Sequence, residues 1–166
     1  MNYIMTLVSL FATDNAVKEY IETHVSQDTQ IPVLGGKICM KNHHNTGAMF
    51  HLGGNNRSMI AVISLVFSAF VSGIFAAALT TKGNVILKSG LAILLGGAYS
   101  NTYDRLKRKY VVDYVSFRFK NTQGKMPEKL KHALEAIVFN ISDFGIILGA
   151  MLIVVSEIFR NEKKAS

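Results

Sequence analysis

The chain has 166 residues, 49% apolar and only 17% charged, with a formal net charge of +7. The length suits one domain, 1–166, and the charged share lies well below the about 25% of a soluble domain. A single cysteine, Cys39, excludes an intrachain disulfide and any Cys-based zinc or redox motif.

The apolar residues fall in blocks. The first runs from Ile4 to Ala12 and continues at helical spacing to about Ile21. Its start, "MNY", has no basic n-region and no small-residue cleavage site follows, so this segment is expected to be a retained helix. The second, Met59 to Leu79, carries no charge over 21 residues, enough to cross a bilayer. The third centres on "SGLAILLGGAY" (89–99), with Lys88 able to snorkel. The fourth, "AIVFNISDFGIILGAMLIVV" (136–155), is broken only by Asn140 and Asp143. These blocks predict an all-α membrane protein with four transmembrane helices, about 3–21, 58–80, 85–103 and 134–158. Long loops fall at about 22–57 and 104–133, and both prolines, Pro32 and Pro127, lie in them.

Within the loops, "KICMKN" and "AMFHL" flank "HHNTG", which reads as a short hairpin. "YVVDYVSFRF" alternates like a strand, with Val111, Asp113, Val115, Phe117 and Phe119 on one face. "PEKLKHALEA" reads as a short amphipathic helix leading into the fourth span, its lysines at the headgroups. Cys39, His43, His44 and His51 fit no zinc spacing and read as surface polar residues, so no metal site is expected. Gly145 and Gly149 mark close helix packing. "LLGGAYSN" lacks phosphate-loop spacing. The basic third loop fits anionic phospholipid headgroups between two spans better than nucleic acid.

Polar residues recur toward the long-loop side of the spans. Asp14 and Lys18 stand at i,i+4, Asn101 with Asp104 and Arg105 ends the third span, and Asn140 and Asp143 stand at i,i+3. Helix–helix stitching explains part of this. A carboxylate at membrane depth is costlier than an amide and points to work. Asp113 and Asp143 in one shielded pocket would share a proton as an aspartic dyad, acid and base toward water. A proton or ion pathway uses buried carboxylates as well.

In order, "NTGAMF" (45–50), "GGAYSNTYDR" (96–105), "VVDY" (111–114) and "FNISD" (139–143), with the Asp14–Lys18 pair, resemble the prolipoprotein signal peptidase family, also called signal peptidase II. The resemblance covers essentially the whole chain. It implies an aspartic endopeptidase of the bacterial cytoplasmic membrane. Such an enzyme removes signal peptides from precursors whose lipobox cysteine carries a diacylglyceryl group. It also implies a small extracytoplasmic β-cradle and no metal or cofactor, because the dyad activates water directly. The dyad falls on Asp113 and Asp143. Asn45, Asn101, Arg105 and Asn140 match pocket residues, and Asp14, Lys18 and Asp104 match supporting ones. The chain departs from the family at Ser100 and Lys109, where glycine is usual; a lysine there adopts positive φ only at a cost. A non-catalytic lipopeptide-binding paralogue is the other reading. The expected state is a monomer with both termini cytoplasmic. The basic tally runs against that orientation, with 5 residues on the termini's side and 12 on the other.

Overall fold

The computed structural model of the chain describes residues 2–47, 57–119 and 127–165. It is mostly helical with one small antiparallel sheet. The order is α1 (Tyr3–His24), β1 (Gln30–Val33), β2 (Ile38–Asn45), α2 (Arg57–Thr80), α3 (Val85–Lys107), β3 (Val111–Phe117), α4 (Glu128–Ala136), β4 (Val138–Phe139) and α5 (Ile141–Ala165).

Helix α3 packs against α1, α2 and α5. Small residues make this possible. A Cβ on Gly96 would lie 2.8 Å from the Leu7 carbonyl of α1, and one on Gly149 of α5 would lie 2.6 Å from the Gly90 carbonyl of α3. Leu91, Leu94, Leu95 and Ala98 of α3 then bury against Val71 and Phe75 of α2. The outer face of α2 stays uncovered at Val62, Val66 and Phe70, as does that of α5 at Ile147, Met151 and Val154. Rows of bare apolar side chains of this extent are surfaces that a bilayer covers. Among the described residues, Arg57–Thr80 and Ile141–Arg160 are long and apolar enough to cross a membrane on composition alone. Helices α1 and α3 are less apolar: Asp14, Lys18, Glu19 and Glu22 lie in the first, and Lys88 with the polar run from Ser100 to Arg105 in the other.

The sheet runs β1-β2-β3-β4. A 3₁₀ turn, Leu34–Gly36, joins β1 to β2. Strand β2 pairs with β3 from Ile38↔Phe117 to Asn45↔Val111, with an irregularity between Met40 and His43. Val115 of β3 lies opposite Phe139 of β4. Ile21 and Val25, at the end of α1, bury against Val112 and Tyr114, which seats the sheet on the helices.

Four local readings change. His43, His44 and Asn45, taken as a turn, continue strand β2; the "AMFHL" half of that hairpin lies outside the described residues. The fourth apolar block is not one helix from 134: α4 ends at Ala136, β4 follows, and α5 begins at Ile141. Backbone pairing to β3 takes Val138 and Phe139 out of the helix. Strand β3 ends at Phe117, before Phe119, and both its faces are largely covered. Cys39 is buried and His44 half-buried rather than surface groups: the His44 ring stacks on Tyr110 at 3.8 Å and meets Glu22 at 3.0 Å. His51 lies outside the described residues. Lys109, between α3 and β3, does take the left-handed conformation, at φ 67°.

Candidate active site

Asp143 stands in the first turn of α5, not in the middle of a span. Asn140 and Asp143 cap that helix reciprocally. The Asp143 N–H donates to Asn140 Oδ1 at 2.9 Å, and the Asn140 N–H donates to Asp143 Oδ2 at 3.0 Å. This is the capping-box exchange, which occupies two backbone donors that a helix end leaves free.

The Asn140 side chain reaches the other carboxylate. Its Nδ2 donates to Asp113 Oδ1 at 2.7 Å and to Asn101 Oδ1 at 3.2 Å. Asn101 Nδ2 in turn donates to Asp143 Oδ1 at 2.9 Å. Asn45, on β2, donates to Asp113 Oδ2 at 2.9 Å. Every carboxylate oxygen of Asp113 and Asp143 therefore accepts from an amide, and Asn140 touches both residues. Asp113 is 1% exposed. Burial, and then the charge of Asp143, push its carboxyl up to about 7. A cleft of about 410 Å³ opens beside it, lined by His43, Asn45, Ala136 and Val138 among others.

Behind the asparagines lies a buried polar layer. Lys18 Nζ pairs with Asp14 at 2.8 Å and with Asp104 at 3.3 Å, and all three side chains are fully buried. Asp104 also pairs with Arg108 at 2.8 Å. Two carboxylates thus face two cations, which buried charges require. Lys18 also donates to Asn101 Oδ1 at 2.8 Å, so the layer holds the asparagine that holds Asp143. Asp104 Oδ2 accepts the Val112 N–H at 3.1 Å, fixing β3 just before Asp113. Arg105 is partly buried and makes no ion pair among the described residues; its Nη1 donates to the Asn101 carbonyl at 3.5 Å. With Asn101 it lines a second cleft of about 240 Å³ between α2, α3 and α5.

All nine residues singled out in the sequence thus lie in or beside one cluster. Three others were missed. Ser100 Oγ donates to Asp14 Oδ2 at 2.6 Å, Ser142 Oγ to the same oxygen at 2.5 Å, and Tyr114 to Asp14 Oδ1 at 2.8 Å. Single hydroxyls in apolar segments leave no spacing signal; only the Ser-for-Gly departure at position 100 drew notice.

Comparison with known proteins agrees with this architecture. The family model described as signal peptidase (SPase) II matches residues 6–159. A lipoprotein signal peptidase of Shouchella clausii (strain KSM-K16) is 29% identical over 168 aligned positions, covering 100% of this chain and 99% of that protein. Two solved structures described as a bacterial membrane enzyme, determined by the in meso method at 2.3 and 1.9 Å, share the fold at TM-scores of 0.74 and 0.71. Each is 20% identical; they cover 98% and 93% of this chain, and 90% of each is matched. The chain belongs to the signal peptidase II family of membrane peptidases.

Proposed function

We propose that Asp113 and Asp143 form the aspartic dyad with which this protein cuts signal peptides from diacylglyceryl-modified prolipoproteins. The observation that carries the reading is Asn140, whose side chain and backbone hold the two carboxylates together. Two buried acids so placed keep one proton between them. Asp143 is the better seat for the charge, at a helix N-terminus, and Asp113, pushed up to about 7, the better seat for the proton. Asp143 takes a proton from water, and the resulting hydroxide attacks the peptide carbonyl before the lipid-bearing cysteine. Asp113 gives its proton to the carbonyl oxygen. Collapse of the tetrahedral species returns that proton to Asp113, while Asp143 protonates the departing amine. Asn45, Asn101, Asn140 and Arg105 hold substrate and dyad; Asp14, Lys18 and Asp104 support them. No metal or cofactor takes part.

In this reading α1, α2, α3 and α5 all cross the bacterial cytoplasmic membrane, their bare apolar faces against phospholipid. The termini are cytoplasmic, and the sheet, α4 and dyad face the other side. Helices α1 and α3 are tolerated there because Asp14, Lys18 and Asp104, their fully buried charges, pair with one another. One chain supplies every group named, so the working unit is a monomer. The acyl chains of the substrate stay in lipid, where about 0.8 kcal/mol per buried CH₂ favours them.

The test is cleavage of a diacylglyceryl-modified lipobox peptide by purified protein. It should be cut and its unmodified form should not. Asp113→Asn and Asp143→Asn should each abolish cleavage while lipopeptide binding persists. The double variant should be no worse, because the pair acts as one unit. Cleavage by well-folded Asp143→Asn at near the parental rate would sink the dyad. Ion flux in proteoliposomes without cleavage would favour a translocator, and retention of lipopeptide with neither activity a binding paralogue.

A further inference from the structure

Tyr114 follows Asp113 in β3, but its side chain points to the other face of the strand, away from the cleft. It is 2% exposed and packs with Ile21, Val25 and Val112. Its hydroxyl makes two bonds. It donates to Asp14 Oδ1 on α1 at 2.8 Å and accepts the Ile141 N–H at 3.1 Å. Ile141 is the first residue of α5, and its N–H is a donor that no helical carbonyl can satisfy.

One phenol thus joins the strand that carries Asp113 to the helix turn that carries Asn140 and Asp143. It also anchors both to α1. Ser100 and Ser142 use the other oxygen of Asp14, and neither hydroxyl takes the Ile141 N–H, which goes to Tyr114. Burial and the neighbouring Asp14 charge hold the phenol above its usual range, so it remains a donor at working pH. Asp14 in turn is pinned by Lys18, which leaves the phenol little freedom to swing.

We propose that Tyr114 is a positioning residue that sets the spacing of the two aspartates by clamping β3 to the start of α5. It touches neither substrate nor reacting atoms. The proposal rests on the dyad reading above. Tyr114→Phe keeps the ring in its apolar seat and removes only the clamp. A small misplacement of reacting groups is costly, so kcat should fall at least about tenfold. KM should stay within about twofold, since the substrate contacts remain.

The experiment measures kcat and KM of the full-length variant on the lipidated peptide, per active site titrated. Ser100→Ala, which removes a donor from Asp14 without touching Ile141, serves as comparison and should lose clearly less. A merely structural role would lower the fraction of active protein and leave kcat per site unchanged; that result would overturn the proposal. So would a Ser100→Ala loss equal to that of Tyr114→Phe, which would assign the effect to the Asp14–Lys18 layer that Ser100 also bonds rather than to the clamp. Asp113→Asn is run alongside: if it is inactive and Tyr114→Phe behaves as parent, only the clamp falls. If Asp113→Asn still cleaves, the dyad itself falls.

Discussion

Asp113 is held where ionising it is expensive, and that makes the proposed dyad a burden on stability. Its unfolded value is near the ordinary carboxylate value of about 3.9, and its folded one is about 7. Between those pH values the folded chain keeps a proton that the unfolded chain releases, so stability falls as pH rises through the window. Each unit is worth about 1.4 kcal/mol. Asp113→Asn should therefore match the parent most closely at and below pH 4, gain on it as pH rises toward 7, and hold a constant lead above that. Chemical unfolding in detergent at several pH values would check this; a difference independent of pH would refute it. Lys109 makes the opposite case, strain with no chemistry attached. It holds φ 67°, which costs an L-residue about 1–2 kcal/mol. Lys109→Gly should raise unfolding free energy by about 1 kcal/mol, with cleavage unchanged. At this scale the sequence was partly legible. Asp113 and Asp143 stood out because carboxylates are rare in apolar rows, whereas Tyr114 and Ser142 look like ordinary members of a strand and a helix.

The elements show where periodicity stops being informative. Residues 137–139, "IVF", extend an apolar run without a break, and hydrophobic pattern alone cannot separate a strand from a buried helix there. The Asn140–Asp143 spacing is the usable signal, because it matches a capping box and so places a helix start at 141. Strand β2 was hidden for a different reason: His43, His44 and Asn45 are turn-like in composition but are kept extended by pairing with Val111, Val112 and Asp113. Packing at glycine was legible, and its strength can be tested. A Cβ on Gly149 meets backbone atoms of α3 at 2.6 Å, whereas one on Gly73 of α2 meets nothing within 4 Å. Gly149→Ala should cost about 1–3 kcal/mol, since the helices must part. Gly73→Ala should be neutral or stabilising by up to about 1 kcal/mol, from helix propensity alone. Thermal melts of both variants distinguish these outcomes, and equal destabilisation would refute the packing account.

For the whole molecule, charge and proposed orientation point the sheet to opposite sides. The charge tally would place the long loops in the cytoplasm, and the proposed orientation places them outside. The positive-inside bias acts on short loops near spans, whereas many of these charges sit on or beside folded structure. Arg108 is paired with Asp104, and Arg118 Nη2 donates to Gln30 Oε1 at 2.5 Å. Cys39 is 1% exposed and should stay silent toward an impermeant thiol reagent. Exposed positions must report instead. In intact cells Lys37→Cys should label, and Lys82→Cys should label only after permeabilisation. The reverse pattern would invert the topology.

The ion pairs behind the asparagines also bear on how such a chain enters a bilayer at all. Asp14 and Lys18 are one helical turn apart on α1, and Asp104 in the last turn of α3 pairs with Arg108, the residue that caps that helix. In the proposed arrangement, where α1 and α3 cross the bilayer, each helix carries its own counter-ion and can leave the insertion machinery with these charges already balanced, before it has met a neighbour. The contact between Lys18 and Asp104 needs both helices. Assembly then amounts to exchanging partners among charges that were never bare, so the polar layer proposed to support the dyad need not be a barrier to biogenesis.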